Sequence, residues 1–337
     1  MPEILPPFSV PNPVEVPDLD PRTFQDLCTF ARALIATQDL DPIYPLLRQV
    51  VHAQGLTRPQ EFWLVLLYLA FYNTASAWTM FQAFPEPEHV LDQPASMAAW
   101  EQPRRKLLKV NLERRGLRGG KVVEALVKAL QHVAPQRLED WLTEGLGTDP
   151  VQNYETLWTR TQTMPYVGRW AAFKWLDLLE HVSDVPVRAP DMRLQFCSGP
   201  RQALEELYLC ACSDRQDPEY VAFLDALGSR LRGRLASAGL AVTWDVLETI
   251  CCNFHSLVHG RYYVGHDIDE HQRDTQWVED QGESQQPWWA ARRAVLDPRS
   301  LGEVNGWVGI RTPLVRQYRD HGQVYCDWKG GLWESGT

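Results

Sequence analysis

Apolar residues recur at intervals of three and four along the chain from residue 23 onward. This spacing places them on one face of an α-helix. The apolar positions of this first helix are Phe24, Leu27, Phe30, Ala31 and Leu34. The Asp41-Pro42 dipeptide ends the pattern, since proline cannot continue a helix.

A second helix is predicted from about Gln60 to Phe84. Pro59 suits a helix start, and the segment is apolar on all sides, which is typical of a helix that runs through the core. Strict alternation of apolar and polar residues is hard to find, so a sheet is not expected. Further helical spacing covers about 100–114, 119–132, 136–145, 151–162, 169–182, 200–213, 217–237 and 242–259. The predicted fold class is all-α.

Composition divides the chain into three predicted regions. Residues 1–22 are Pro-rich and should form an extended arm. Residues 23–260 carry the helical patterns. Residues 261–337 change to short polar stretches rich in Trp, Gly and acidic residues, and we predict an irregular C-terminal lobe.

The sequence lacks the features of a membrane or secreted protein. Its longest apolar run, Phe62 to Tyr72, is about half of the roughly 20 residues that span a bilayer. No basic region precedes an apolar stretch at the N-terminus, so no secretory signal is expected. The seven cysteines form an odd set without Cys-x-x-Cys spacing. We expect reduced thiols, a cytoplasmic location and no iron-sulfur cluster.

The chain is acidic overall but basic in one segment. A formal net charge of -10 argues against indiscriminate nucleic-acid binding, because Lys and Arg side chains neutralise phosphates. Residues 104–128 nevertheless hold nine basic and two acidic residues. Arg114, Arg115, Arg118 and Lys121 are candidates for DNA-backbone contacts. A solvated helix face is the alternative interpretation.

The segment from Met164 to Trp175 reads as a tight turn followed at once by an amphipathic helix. Gly168 ends the turn. Free backbone N–H groups at a helix start form an anion site, and Arg169 would reinforce it. An ordinary helix start with a Pro-containing turn fits the same residues.

This turn resembles the hairpin Leu-Pro-Gly-Val-Gly of the helix-hairpin-helix DNA glycosylase superfamily. Tyr166 replaces the first glycine, which should weaken the hairpin geometry because glycine tolerates a positive φ. Further along, that superfamily has a Pro-Val-Asp segment with its catalytic aspartate. Asp191 stands at this place after Pro190, and the resemblance makes it the leading catalytic candidate. Without the resemblance, Asp191 reads as a turn or N-cap residue.

Three segments spread over most of the chain form a second pattern. They are Tyr72–Trp78 (YNTASAW), Met164–Trp175 (MPYVGRWAAFKW) and His259–Glu270 (HGRYYVGHDIDE). This combination resembles the phage amino acid:DNA transferases, also called α-glutamyl/putrescinyl-thymine pyrophosphorylases, which are related to the helix-hairpin-helix glycosylases.

The second resemblance implies a reaction on double-stranded phage DNA in the host bacterial cell. The DNA base is 5-hydroxymethyluracil activated as its pyrophosphate ester, and the amine of an amino acid or polyamine displaces pyrophosphate. Such an enzyme needs a pocket for an extruded base, groups that hold pyrophosphate, a base for the ammonium proton and a cation for the donor's carboxylate.

The resemblance also suggests residues for these tasks. Asp191 would accept or orient the amine proton. Asn73 and Ser76 would read the uracil edge or the amino acid, with Tyr72 and Trp78 as stacking surfaces. Pyrophosphate or DNA phosphate would be held by Gly168, Arg169, Lys174, Arg261 and His266. Taken singly, the helix residues are also ordinary core polar and aromatic groups.

A metal site is weakly indicated. His255 and His259 are four residues apart, hence on one helical face, and carboxylates follow closely. The remaining ligands are not defined, so a polar surface is the favoured interpretation, and neither a metal nor a cofactor is predicted. A Mg²⁺ ion bound together with pyrophosphate is left open, because Mg²⁺ uses few protein carboxylates.

Two other functions are kept as alternatives. A DNA glycosylase or lyase would use Asp191 to support attack at the sugar C1′. A bifunctional lyase usually has its lysine just after the hairpin, whereas Lys174 lies inside the following helix. A non-enzymatic DNA-binding protein would keep its DNA affinity when Asp191 is replaced by Asn.

The basic segment leads to a test by salt dependence. Replacing Arg114, Arg115 and Arg118 together by Ala should reduce the slope of log K against log salt concentration by about 2 to 3 units, because each phosphate contact releases a counterion. DNA binding measured at several salt concentrations gives the slope. An unchanged slope would remove this segment from the DNA interface.

Overall fold

The structure, a computed structural model, describes residues 18–110, 122–195, 197–210, 217–303, 311–326 and 331–332. The described chain is all-α, which confirms the predicted fold class. It forms two compact units. The first contains the described parts of residues 1–40, 191–265 and 311–337, and the second those of residues 41–190 and 266–310. Both units combine separate stretches of the chain, whereas the three regions predicted from composition are continuous, with boundaries after residues 22 and 260. These three regions stay a prediction.

Helices make up nearly all of the regular structure in the described residues. In chain order they are α1 (Pro21–Thr37), α2 (Ile43–Ala53), α3 (Arg58–Phe71), α4 (Thr74–Ala83), α5 (Glu88–Asp92), α6 (Pro94–Arg104), α7 (Val122–Val133), α8 (Leu138–Thr143), α9 (Pro150–Thr161), α10 (Arg169–His181), α11 (Gly199–Leu207), α12 (Pro218–Ser237), α13 (Trp244–Val258), α14 (His266–Asp280), α15 (Gln286–Val295), a 3₁₀-helix (Thr312–Arg316) and α16 (Gln317–His321). Two short strands, β1 (Tyr325–Cys326) and β2 (Gly331–Leu332), pair antiparallel.

The predicted core helix from Gln60 to Phe84 is in fact two helices, α3 and α4. Tyr72 ends α3 in the left-handed region, with φ at 46°. Asn73 is extended and caps α4, where its Oδ1 accepts the Ser76 N–H at 2.9 Å. The continuous apolar run hides this break, because hydrophobicity reports burial and not backbone direction. The prediction of burial holds, since every residue from Glu61 to Phe71 is buried.

The lobe predicted to be irregular contains two regular helices, α14 and α15. Of the residues in α14, only Ile268, Trp277 and Val278 are apolar. Its polar groups dominate the pattern and conceal the helical period that the few apolar residues carry. The expectation of irregular structure is therefore wrong for residues 266–280 and 286–295.

Each unit has its own apolar core. In the first unit, the ring of Phe30 on α1 contacts Phe254 on α13 and Tyr262, with centroid distances of 5.8 and 6.0 Å. In the second unit, α3 is the central element, and the indole N–H of Trp63 donates to the Phe84 carbonyl at 2.7 Å. Burial of such apolar surface is the main favourable term in folding.

The described helices do not meet the requirements of a lipid bilayer. None of them has both the length and the apolar character needed to cross a membrane.

The junction between α3 and α4 should contribute measurably to stability. Asn73→Ala removes the N-cap acceptor and should lower the free energy of unfolding by about 1 to 2 kcal/mol. Asn73→Ser keeps a good N-cap acceptor and should lose less. Urea denaturation of both variants gives the comparison, and equal losses would show that the cap is not what stabilises this junction.

Candidate acidic site

A pocket with about 500 Å³ of space open to solvent lies in the second unit. We call it the acidic pocket, because four carboxylates line it and His271 is the one basic residue among its lining residues. Its lining residues are Asp41, Pro42, Ile43, Tyr68, Tyr72, Asn73, Thr74, Asp267, Glu270, His271 and Asp274.

Helix periodicity explains why one wall of the acidic pocket is acidic. Asp267, Glu270, His271 and Asp274 are spaced by three, four and seven residues along α14. Residues at these spacings share one helix face. The opposite wall comes from the start of α2 and from the junction of α3 with α4.

Asp274 is the most heavily bonded carboxylate of the acidic pocket. Its Oδ2 accepts from the Asn73 amide at 2.8 Å, and its Oδ1 accepts from Lys109 Nζ at 3.1 Å and Arg273 Nε at 2.9 Å. Arg273 also donates to Glu270 Oε1 at 3.1 Å. Two cations thus offset part of the negative charge, and the bonds hold α14 against α4.

Two tyrosines provide an aromatic surface beside the carboxylates. The rings of Tyr68 and Tyr72 stack with centroids 5.2 Å apart, and Trp170 meets Tyr72 edge-on at 4.9 Å. Burial, and then the neighbouring Tyr72, raise the pKa of Tyr68 well above its ordinary value. Its phenol therefore stays neutral at physiological pH.

His271 is a neutral histidine in the wall of the acidic pocket. Its Nδ1 lies 3.1 Å from Nη1 of Arg292. Because a guanidinium only donates, Nδ1 accepts and the ring proton is assigned to Nε2. Among the described residues, Nε2 has no hydrogen-bond partner. Burial and then the Arg292 charge lower the pKa of His271 well below its ordinary value.

Lys174, a predicted phosphate ligand, is buried in an ion-pair network. Its Nζ lies 3.6 Å from Asp41 Oδ1 and 3.4 Å from Asp177 Oδ2, and donates to the Tyr44 hydroxyl at 3.2 Å. The side chain is 7% exposed. A buried cation between two carboxylates is compensated internally, so Lys174 supports Asp41 at the edge of the acidic pocket.

The predicted hairpin forms a turn between α9 and α10. Gly168 is the extended N-cap of α10, and Tyr166 has φ at 69°. The tyrosine therefore adopts the left-handed backbone that glycine would favour, although a side chain makes this costly. Arg169 lies over the Phe173 ring at 4.8 Å, and Lys128 Nζ donates to the Tyr166 hydroxyl at 2.9 Å.

The structure distributes the remaining candidates of the second unit differently. Ser76 is fully buried and accepts the Lys109 N–H at 2.8 Å, and Trp78 stacks on Phe81 at 5.4 Å. Neither of them lines the acidic pocket, whereas Tyr72 and Asn73 do. His266 begins α14, and its Nδ1 lies 3.3 Å from Asp267 Oδ1.

Asp191 and Arg261 belong to the first unit. Asp191 Oδ1 accepts the Arg193 N–H at 2.7 Å, the turn contact expected of an aspartate after proline. Burial and then the Asp191 charge raise the pKa of Asp225 to about 6. Arg261 Nη2 lies 3.0 Å from His255 Nε2. The candidates Arg114, Arg115, Arg118 and Lys121 lie outside the described residues.

Sequence reasoning missed several residues of the acidic pocket. In the sequence, Asp41 and Tyr68 mark only a helix end and an apolar run, and Asp274 belongs only to an acidic run. The spacing of Asp267, Glu270, His271 and Asp274 was the signal that could have identified one helix face.

The described second unit is a helical scaffold with a solvent-open pocket lined by four carboxylates. A family model described as amino acid:DNA transferase matches residues 35–263. The chain therefore belongs to the amino acid:DNA transferase family. It is a transferase that acts on DNA and an amino acid. The match includes the segment from Asp41 to Thr74, the hairpin turn and Asp191, and ends three residues before α14.

The neutral state of His271 has a consequence for acid stability. Its folded-state pKa is lowered, so as pH falls through the unfolded value of about 6.5 the unfolded chain binds a proton that the folded chain resists. Stability should fall by up to about 1.4 kcal/mol per pH unit below that point. His271→Asn keeps an acceptor for Arg292 without titrating. Urea denaturation between pH 7.5 and 5.5, values chosen about one unit either side of 6.5, should show a weaker pH dependence in this variant than in the wild type. Parallel curves would contradict the assignment.

Proposed function

We propose that the acidic pocket binds the ammonium group of the amine donor. The observation that carries this proposal is the set of four pocket-lining carboxylates, Asp41, Asp267, Glu270 and Asp274. A carboxylate cluster attracts a cation. The stacked rings of Tyr68 and Tyr72 beside it offer an apolar surface to the carbon chain of an amino acid or polyamine.

The proposed reaction forms a C–N bond at the exocyclic carbon of 5-pyrophosphoryloxymethyluracil in double-stranded phage DNA. The C–O bond to pyrophosphate breaks, and pyrophosphate leaves with the electron pair. The donor ammonium must lose one proton before attack, because only the neutral amine has a free electron pair. The carboxylates of the acidic pocket hold the donor as the charged ammonium, and a general base takes the proton when the amine attacks.

The hairpin is the proposed site for DNA phosphate or pyrophosphate. Without a metal ion between them, carboxylates repel these anions, whereas the N-terminus of α10 and Arg169 offer positive partial and full charge. Trp170, the next residue, contacts Tyr72 of the acidic pocket. Both proposed sites therefore lie in the second unit and are linked by one aromatic contact.

Asp191 is the proposed catalytic residue, because the resemblance to the glycosylases puts it at the place of their catalytic aspartate. Its turn contact with Arg193 allows a clean test. Asn at position 191 can still accept the Arg193 N–H through its side-chain carbonyl, but it carries no charge and no proton-accepting carboxylate. Asp191→Asn should therefore keep the fold and lose transfer.

A Mg²⁺ ion that accompanies pyrophosphate is a second proposed occupant of the carboxylates. His266, Asp267 and Glu270 each offer a ligand atom, and these atoms lie within 4.8 Å of one another. Asp267 and Glu270 supply the hard oxygen ligands that Mg²⁺ prefers. Activity that disappears with EDTA and returns with Mg²⁺ would favour this occupant over the ammonium group.

A lyase function is less well supported by the geometry. A lyase lysine must present a free amine to the sugar, whereas Lys174 is buried and paired with Asp41 and Asp177. Membership in the transferase family also favours an enzymatic function over DNA binding alone.

The deciding experiment supplies the purified protein with an oligonucleotide that carries 5-pyrophosphoryloxymethyluracil and with a pool of amino acids and polyamines. Mass spectrometry of the nucleosides should show an amine-linked thymidine, with pyrophosphate released. An unchanged nucleoside with the whole pool would overturn the proposed reaction.

Variants in the same assay test the pocket assignment. Asp267→Asn and Glu270→Gln should each raise the KM for the donor about tenfold, which corresponds to about 1.4 kcal/mol of lost binding. The matched control is Asp280→Asn, on the same helix but outside the acidic pocket. Pocket variants that behave like this control would show that the donor binds elsewhere.

A further inference from the structure

A second cluster of ionisable groups lies in the first unit and shares no residue with the acidic pocket. Glu206 on α11 accepts from two histidines, His255 on α13 and His259 just after it. The distances are 2.9 Å between Glu206 Oε2 and His255 Nδ1, and 2.8 Å between Glu206 Oε1 and His259 Nε2. The two imidazole rings lie with centroids 4.4 Å apart.

Packing between α11 and α13 fixes the positions of these side chains. Gly199, the first residue of α11, lies so close to α13 that an added Cβ would be 2.7 Å from Cys252 Sγ. Glycine permits this close approach. His255 and His259 are one helical turn apart, so both rings project from the same side toward Glu206.

We propose that Glu206, His255 and His259 form a binding site for a divalent transition metal of the Zn²⁺ class. Their nearest ligand atoms all lie within 4.8 Å of one another, so small side-chain shifts would bring two nitrogens and one oxygen onto one ion. Imidazole and carboxylate ligands suit Zn²⁺, Co²⁺ and Ni²⁺ better than Mg²⁺ or Ca²⁺.

The cluster is accessible to an ion from solvent. The side chains of His259 and Glu206 are 47% and 43% exposed, whereas His255 is buried. Three protein ligands leave a fourth position of a tetrahedral ion open to water. In this arrangement the metal ties the C-terminal end of α13 to α11.

Arg261 opposes metal binding at this site. Its Nη2 lies 3.0 Å from His255 Nε2, and a guanidinium only donates, so the neutral ring carries its proton on Nδ1. Coordination through Nδ1 moves that proton to Nε2, and Arg261 must then withdraw. The groups behind metal-bound histidines are normally acceptors, so Arg261 acts as a competitor for the site.

The test is a calorimetric titration of the full-length, tag-free protein with Zn²⁺ in the presence of excess Mg²⁺. Co²⁺ provides an independent readout, because a tetrahedral site gives characteristic visible absorption. Loss of a residue that only hydrogen-bonds a metal ligand typically weakens metal binding roughly 10- to 100-fold. Glu206→Gln and His259→Ala remove ligands themselves and should weaken Zn²⁺ binding by more than this. The control His52→Ala, an exposed histidine of the other unit, should bind like the wild type.

Arg261→Ala gives a prediction in the opposite direction. Removing the competing donor should tighten Zn²⁺ binding about tenfold, and saturating Zn²⁺ should raise the Tm of both proteins, because a ligand of the folded state stabilises it. Zn²⁺ binding that is unaffected by Glu206→Gln and His259→Ala, or no binding by the wild type, would overturn the proposal. Neither result depends on transferase activity.

Discussion

The second unit depends on one constraint: the polar groups at a helix break inside its core must all find partners. α3 ends at Tyr72 and α4 begins after Asn73, and both residues are at least largely enclosed by protein. A buried donor or acceptor without a partner costs about 1 to 3 kcal/mol of folding free energy. Asn73 meets this requirement with one side chain, since its oxygen caps α4 and its amide binds Asp274. The same bond fixes α14, and with it the acidic wall of the pocket.

The resemblance to the transferases pointed to Tyr72 and Asn73, both of which line the acidic pocket. The spacing of apolar residues predicted the all-α fold, because long apolar periods report burial directly. The break at Tyr72 was not predictable in this way, because a left-handed backbone at a tyrosine leaves no mark on hydrophobicity. The helix α14 was missed because its burial rests on so few apolar residues.

The acidic pocket and the hairpin turn of the described second unit differ in the charged groups that they carry. The carboxylates gather on α14 and at the start of α2, whereas the N-terminus of α10 and Arg169 lie on the hairpin. Lys174 shows why a basic residue next to a motif is a poor guide to anion binding. From sequence it follows the hairpin closely, but its position on the buried side of α10 makes it a partner of Asp41 and Asp177. Sequence spacing shows which residues share a helix face, but it does not show whether that face is buried or exposed.

One face of a single helix, α14, carries the acidic wall of the pocket. The four side chains of this wall therefore come from one short, contiguous stretch of chain, from Asp267 to Asp274. The opposite wall comes from the start of α2 and from the junction of α3 with α4. If the donor binds there, as proposed, substitutions in a single helix could alter which amine is accepted while the opposite wall stays the same. Such an arrangement separates the part of the chain that selects the donor from the part that builds the core.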